Sequence, residues 1–420
     1  MNKRLLPAMV LILAALVSAQ LFAGGAREAQ PGESDFDSRY RSLAWEEIVA
    51  EAEGSELFWY MWGGSDSINV FVQEYVADML AGEYFVDLTM VPVTDASIFV
   101  SKVLGEQQAG RTEGGSVDLV WINGENFRSM REAGLLFGPY ADLLPNMRSV
   151  NADDPTVAND FGFPVEGYES PYGSAQTVMT YDEARTPAPP TTIPELIAWI
   201  ESNPGRFSYP APPDFTGSAF IRHLFYHAAG GYERLTGAFD QELFDEVAPA
   251  AWELLNRLEP SLWRAGRTYP ESSTQQQSLF ANSEVDFDMS YNPSAAANLV
   301  AQGRYPETTR TFVFDSGTIG NTHYVAIPFN ASHKPAAMVT ANLLLEPEVQ
   351  LEKAKPSVWG DLPDVEIARL LGVWQERFAS LPRPASVLPA ETLQAHRIPE
   401  LQSTWLEAIE RGWIANVLER

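Results

Sequence analysis

Few residues in this sequence have the types and spacing that catalysis or metal binding requires. His223 and His227 stand four positions apart on a predicted helix, which places both imidazoles on one face, where they could bind a metal ion. Asp286 and Asp288 alternate along a short predicted strand, so their carboxylates share a face and could form a metal pair. Neither pair comes with a matching signature. The sequence therefore favours simple packing for the histidines and a solvated face for the aspartates.

Familiar catalytic signatures are absent from the chain. It contains no G-x-S-x-G, H-E-x-x-H or G-x-x-x-x-G-K-[ST] motif and no cysteine. The lack of cysteine excludes disulfides, thiolate metal sites and Cys nucleophiles. The sequence therefore predicts a protein that is not an enzyme and that uses no cofactor and no metal.

The charge balance narrows the class of ligand. The chain has 28 Lys and Arg against 56 Asp and Glu, a net charge of −28. Nucleic acids and anionic membrane surfaces would be repelled, whereas cationic or neutral ligands are tolerated. A length of 420 residues is too great for one hydrophobic core and suits two domains.

Polar turns follow two apolar segments that read as strands. The stretch GSVDLVWINGENF, 115–127, passes from a strand into hydrogen-bonding groups, and LFWYMW, 57–62, passes into a turn of Gly and Ser. We take the polar and aromatic residues at such ends as ligand-binding candidates: Trp62, Gly64, Ser65, Asn123, Glu125, Asn126, Tyr172 and Tyr291. Helix capping remains the alternative for Ser65, Asn123 and Glu125.

The elements that carry these turns alternate between strand and helix. Strands at 57–62, 84–93 and 115–122 are each followed by an amphipathic helix, which predicts crossover units and a mostly parallel sheet. In such sheets ligands bind outside the carboxyl ends of the strands, so both polar turns should face one edge. From Ser332 onward the sequence reads as helix to the end.

The first residues have the pattern of a secretory signal peptide. Lys3 and Arg4 precede an apolar stretch over residues 5–17 and then small residues, with cleavage expected after Ala23 or Ala19. Residues 1–23 are thus predicted to be removed, which leaves an exported, periplasmic or extracytoplasmic protein.

Four longer motifs carry a resemblance to a known family: GSVDLVWINGENFRSMREAGLLFGP, PDFTGSAF, SSTQQQSLFANSEVDFDMSYNPSAA and GTIGNTHYVAIPFNASHKPAAMVTANLLLEPEVQ. Across nearly the whole mature chain, the sequence resembles extracytoplasmic solute-binding proteins of ABC importers, in the YnjB-type branch related to thiamine-, polyamine- and iron-binding proteins. The adjacent Tyr-Tyr pair of the iron binders is missing, as is the Cys that anchors many relatives to lipid.

The resemblance implies an α/β fold, the type II periplasmic-binding-protein fold. It has two lobes, each a mostly parallel sheet flanked by helices, and two hinge crossings, here at 174–182 and 321–330. Lobe one would comprise 40–175 with 325–420, and lobe two 176–324. Where the motifs meet predicted strand or helix ends, further ligand-binding candidates are Asp214, Thr216, Ser218, Asn292 and Asn321.

The function implied is that of a monomeric binding component, which delivers a small solute to a permease and its ATPase. The solute is expected to be a cationic or neutral organic molecule, with a thiamine-like one favoured over a sugar. Two alternatives stay open: an exported hydrolase acting through Asp286, Asp288 or Glu125, and a soluble sensor domain.

Overall fold

Twelve strands and a larger number of helices build the part of the chain that the computed structural model describes, residues 39–419. The predicted signal peptide lies outside that range and stays a prediction. The strands are β1 (Glu56–Trp62), β2 (Asp87–Val93), β3 (Leu119–Ile122), β4 (Leu136–Phe137), β5 (Asn159–Asp160), β6 (Phe163–Pro164), β7 (Glu169–Gln176), β8 (Val178–Asp182), β9 (Phe287–Ser290), β10 (Thr309–Phe312), β11 (Thr318–Pro328) and β12 (Arg397–Ile398). The principal helices are α1 (Trp45–Ala52), α2 (Asp66–Val70, continuing through π-helical turns to Tyr84), α3 (Ser97–Gln108), α4 (Gly124–Glu132), α5 (Pro155–Ala158), α6 (Ile193–Ser202), α7 (Phe215–Ala229), α8 (Gln241–Leu258), α9 (Ser273–Ala281), α10 (Ala295–Ala301), α11 (Lys334–Leu344), α12 (Pro347–Ala354), α13 (Gly372–Ala379), α14 (Ala390–Ala395) and α15 (Ser403–Trp413).

The larger sheet has seven strands in the order β12-β11-β3-β1-β2, with β4 and β7 also paired to β11. β1 runs parallel to β2 and β3, which confirms the crossover units predicted from the alternation of strands and helices. β11 runs antiparallel to both β3 and β7, so the sheet as a whole is mixed. The carboxyl ends of β1 and β3 therefore lie at one edge, beside the amino-terminal half of β11.

The period-2 burial of β1 explains the layers around this sheet. Leu57, Trp59 and Met61 enter one hydrophobic cluster, which contains residues of α1, α2 and α11. Tyr60 packs on the opposite cluster, with residues of α3 and α4. These two clusters, called here the first core, cover both faces of the sheet.

A second core surrounds a smaller sheet of three strands, in the order β10-β8-β9. Both pairings in it are antiparallel, so the expected parallel arrangement is wrong for this sheet. The central strand β8 continues directly from β7 of the larger sheet, and its two neighbours β9 and β10, which α10 joins, both run opposite to it. The α/β fold class itself is confirmed.

The carboxyl-terminal part differs from the prediction of continuous helix. Irregular chain separates α12 from α13 and α13 from α14, where prolines such as Pro356, Pro363 and Pro384 interrupt the helical periodicity. Helix α15 then packs into the second core through Trp405, Ile409 and other apolar residues. The chain thus passes between the two cores a third time, over 380–402.

Candidate functional site

A cavity of about 250 Å³ is lined by four segments that are distant in sequence: 155–162, 236–237, 320–322 and 399–402. The first segment carries β5 beside the larger sheet, and 320–322 belongs to β11. Residues 236–237 follow α7 and 399–402 lead into α15, both helices of the second core. The cavity therefore lies where elements of the two cores meet.

Asp160 is the carboxylate on the first-core side of this cavity. Its Oδ1 accepts a hydrogen bond from Asn123 Nδ2 at 3.1 Å, and its Oδ2 accepts one from the Gly124 N–H at 2.5 Å. Asn123 Nδ2 also donates to the Thr322 carbonyl oxygen at 2.8 Å. The side chain of Asn123 therefore ties the end of β3 to β11 and to Asp160, and it makes no cap hydrogen bond to its own helix.

Burial dominates the electrostatics of Asp160. It raises the pKa of this carboxyl to about 7, an effect only partly offset by the donors of Asn123 and Gly124 and increased by the nearby charge of Glu125. Glu169, on β7, is buried with both oxygens lacking a hydrogen-bond partner, and burial raises its pKa well above the usual range. No positively charged group in the described chain offsets the burial of either Asp160 or Glu169.

Glu400 supplies the carboxylate on the second-core side. Its Oε2 pairs with Arg222 Nη1, and its Oε1 accepts a hydrogen bond from the Tyr291 hydroxyl at 2.7 Å. Arg222 Nη2 donates in turn to the Tyr291 hydroxyl at 2.9 Å, and Asn321 Nδ2 lies 3.5 Å from Glu400 Oε1. Arg222 is fully buried, so this network fixes Glu400 and Tyr291 in place.

Aromatic rings connect the two sides. The ring of Phe161 lies 5.8 Å from that of Phe215, which in turn lies 4.8 Å from the ring of Tyr291. Phe215 opens α7 and keeps 40% of its surface exposed, so a flat apolar face remains available beside the cavity.

Further carboxyl groups face one another where α4 meets α15. Ser218 Oγ donates to Glu410 Oε1 at 2.7 Å. Burial raises the pKa of Glu125, and the charges of Glu410 and Glu407 raise it further. Burial also raises the pKa of Glu410. Asn126 Nδ2 donates to Glu125 Oε1 at 3.2 Å and so takes up one of its oxygens.

Of the predicted site residues, Asn321 lines the cavity, and Asn123 and Tyr291 hydrogen-bond to Asp160 and Glu400, which also line it. Glu125 is close enough to Asp160 for its charge to raise the pKa of that carboxyl. Asn126 and Ser218 instead contact Glu125 and Glu410, which are not lining residues. Their role in ligand binding stays a prediction.

The turn after β1 lies apart from this network. Trp62 is 43% exposed, and the indole covers Gly64 so closely that a Cβ there would come within 2.2 Å of it. Ser65 Oγ lies 3.1 Å from Ser67 Oγ and caps no backbone N–H group.

Other predicted residues have structural partners. Asp214 Oδ1 accepts the N–H groups of Thr216 and Gly217 and the Thr216 hydroxyl, so it caps α7. Asn292 Nδ2 donates to the Trp359 carbonyl oxygen at 3.0 Å. Tyr172 is buried, with its ring 5.7 Å from that of Trp121.

The structure confirms one of the two predictions made for the possible metal-binding pairs. His223 is buried, with Nδ1 bonded to the Ala219 carbonyl and Nε2 accepting from the Ile319 N–H, and burial lowers its pKa to about 3. Both ring nitrogens of His223 thus have structural partners, which confirms the prediction of simple packing for this histidine. A solvated face for Asp286 and Asp288 was wrong, because Arg206 and Arg185 pair with the first and the Tyr305 hydroxyl bonds the second.

Two negative findings apply to the described part of the chain. Over residues 39–419, no three His, Asp or Glu side chains stand close enough together to hold a metal ion. Within the same range, every helix is too short or too polar to cross a bilayer.

Sequence reasoning missed Asp160, Arg222 and Glu400. None of them follows a long apolar strand or belongs to a recognised motif, and Arg222 and Glu400 are 178 residues apart in the chain. The only local signal was Phe161, an aromatic residue between Asp160 and a glycine.

The comparisons with known proteins agree with this architecture. Residues 76–377 match the family of bacterial extracellular solute-binding proteins, and the chain belongs to that family. Protein YnjB of Escherichia coli K12 is 38% identical over 370 residues, which cover 88% of this chain and 93% of YnjB. The resemblance to the YnjB-type branch is therefore confirmed.

Solved structures support the fold at lower sequence identity. The spermidine/putrescine ABC transporter substrate-binding protein PotD of Streptococcus pneumoniae has a TM-score of 0.61 at 12% identity, over 87% of this chain and 99% of PotD. A periplasmic thiamin binding protein has a TM-score of 0.54 at 18% identity, over 86% of this chain and 94% of that one. Solute-binding proteins of ABC importers bind small solutes and work with permease and ATPase components, and they are not enzymes.

Proposed function

We propose that this protein is the substrate-binding component of an ABC importer, which captures a small organic solute between two lobes and delivers it to a membrane permease. The observation that carries the proposal is the cavity at the meeting of the two cores, with Asp160 on one side and Glu400 on the other. Its position beside the carboxyl end of β3 is where α/β sheets of this kind bind ligands.

The proposed lobes follow the boundaries expected from the sequence, with one change. Lobe one comprises 40–175 and the chain from 325 onward, and lobe two comprises 176–324. Because α15 packs into the second core, we assign it by its contacts to lobe two. The ligand-binding candidates named from the sequence remain proposed ligand contacts, with Asn123, Tyr291 and Asn321 the ones at or beside the cavity, and Asp160, Phe161, Phe215 and Glu400 are added to them.

The proposed solute is a cationic or neutral organic molecule, and a thiamine-like one is favoured. An acidic cleft without a free Lys or Arg among its described lining residues suits a cation, and aromatic faces such as Phe215 suit a planar or apolar portion. The fold is shared with proteins named for thiamin and for spermidine or putrescine. The protein is further proposed to be exported by a cleavable signal peptide, to act as a monomer and to perform no chemistry.

The test is native purification followed by mass spectrometry of the released small molecules. We expect one organic solute in near-stoichiometric amount, chemically unchanged after long incubation with fresh protein. A protein that yields no solute and takes none up from cell extract, or one that converts the solute, would contradict the proposal.

A further inference from the structure

One face of the cavity presents an acceptor that has no donor. Asn321 lines the cavity and is 8% exposed, and its Oδ1 has no hydrogen-bond partner. Its Nδ2 points to Glu400 Oε1, which leaves the carbonyl oxygen of the side chain as the free group. A buried amide oxygen without a donor is destabilising, so a donor is expected to enter with the ligand.

A second acceptor in the same cavity lacks a counter-charge. Asp160 is 2% exposed, accepts from Asn123 and Gly124, and forms no ion pair with any Lys or Arg between residues 39 and 419. The charged residue that affects it is Glu125, another acid. Buried carboxylates are normally paired with a cation, and here none is supplied by the described chain.

Glu400 differs from Asp160 because its charge is balanced by Arg222. Its Oε1 already accepts a hydrogen bond from the Tyr291 hydroxyl and lies 3.5 Å from Asn321 Nδ2, and the net charge of its ion pair with Arg222 is close to zero. The cavity therefore combines the uncompensated carboxylate of Asp160 on β5, the free side-chain carbonyl oxygen of Asn321 on β11, and the neutralised carboxylate of Glu400 before α15. The ring of Phe161 and the Pro155 and Pro399 side chains add apolar wall.

We propose that Asp160, Asn321 and Glu400 form a subsite for an organic cation that carries N–H groups: a primary ammonium, an amidinium or a guanidinium at one end of the solute. The proposal rests on the proposed function and deepens it. The free oxygen of Asn321 and the carboxylate of Asp160 call for N–H donors, which a quaternary ammonium lacks. A thiamine-like solute would therefore place its aminopyrimidine end here, with its quaternary nitrogen elsewhere in the cleft.

The test uses protein stripped of ligand by unfolding and refolding, titrated at pH 8 with three probes of similar size: n-butylammonium, n-butyltrimethylammonium and n-butanol. Binding is followed by calorimetry at matched ionic strength. We expect n-butylammonium to bind at least tenfold more tightly than either other probe. Equal or weaker binding of n-butylammonium would overturn the proposal and leave Asn321 bonded to ordered water.

Substitutions in the proposed subsite test whether n-butylammonium binds there. Asp160→Asn removes the charge at constant shape and should weaken n-butylammonium binding at least tenfold, and Asn321→Ala should weaken it severalfold. Asp142→Asn, an exposed acid paired with Arg41, is the matched control and should change nothing. If Asp160→Asn does not fold, Asn321→Ala and the three-probe series on the unaltered protein decide.

Failure of this proposal can be told apart from failure of the proposed function. If native purification yields a bound solute that has no N–H cation, the binding function stands and the subsite is wrong. If no solute is bound or taken up, but n-butylammonium still binds through Asp160, the subsite stands and the importer function is wrong.

Discussion

At the scale of single residues, Asp160 combines deep burial with the absence of a cationic partner. Burial raises its pKa to about 7, whereas the carboxyl of the unfolded chain titrates near 3.8. In the ligand-free protein this arrangement is a cost, because the folded state must either bind a proton or hold an unpaired charge. A ligand cation removes that cost, so stability and binding are linked through one side chain.

The pH dependence of stability follows from that shift. Because the folded pKa is the higher one, the folded protein binds more protons than the unfolded chain between about pH 4 and pH 7, and the contribution of Asp160 to stability falls as pH rises through this window. Asp160→Asn abolishes the effect. In urea unfolding of ligand-free protein, the stability of the variant relative to the unaltered chain should rise by up to ~3 kcal/mol between pH 4.5 and pH 8.

Asp142→Asn serves as the control for this measurement too. Its carboxylate is exposed on the surface and paired with Arg41, so this variant shows what the loss of a surface carboxylate alone does to stability. A flat profile for Asp160→Asn would show that Asp160 is hydrated or paired in solution.

The sequence could indicate the role of some residues and not of others. Asn123 stands at the end of an apolar run, so its position at the sheet edge followed from local pattern alone, although its bonds to Asp160 and Thr322 did not. Arg222 and Glu400 carry no local signal, because the partner of each is set by how α7 and the segment before α15 fold together. The periodicity of a sequence does not indicate which distant residues pair in the folded protein.

At the scale of elements, the first three strands and their helices were predictable, because alternation and amphipathic period are local properties of the chain. The antiparallel pairing of β8 with β9 and β10 was not, since strand direction depends on which neighbours a strand meets. The interruption of the carboxyl-terminal helices was indicated by prolines that the broad helical pattern outweighed.

Two helical glycines provide a test of packing around α7. A Cβ at Gly217 would lie 1.9 Å from the Pro210 carbonyl oxygen, so α7 approaches that backbone closely only because no side chain intervenes. Gly217→Ala should therefore cost at least about 2 kcal/mol of unfolding free energy, since backbone must move.

Gly105→Ala is the matched control, because this glycine lies within α3 and has open space around its Cβ position. It should stabilise the protein by about 0.5–1 kcal/mol through helix propensity. Urea unfolding of both variants measures the two changes side by side. Equal effects would mean that the close approach at Pro210 does not constrain α7.

At the scale of the whole molecule, the contacts that join the two sides next to the cavity are between side chains or between a side chain and a loop carbonyl. Phe161 meets Phe215, and Gln402 Nε2 donates to the Gly162 carbonyl oxygen at 3.2 Å. The chain connects to the second core at three places, close to Gln176 of β7, close to Thr318 of β11, and over 380–402. Such an arrangement permits rotation about a few backbone positions.

We therefore expect the protein to close around its solute. X-ray scattering should give a smaller radius of gyration for protein purified with its solute than for stripped protein, and adding the recovered solute back should restore the smaller value. Identical profiles for the three samples would contradict hinge closure.

The packing of α15 has a consequence for how the molecule forms. Trp405, Ile409 and Trp413 complete a core whose other members include Phe225 and Trp252. On a translating ribosome those earlier apolar side chains emerge roughly 10–30 s before α15 does, at about 5–20 residues per second. The second core therefore lacks the side chains of α15 until the end of synthesis, and any factor that shields nascent apolar surface has that interval in which to act.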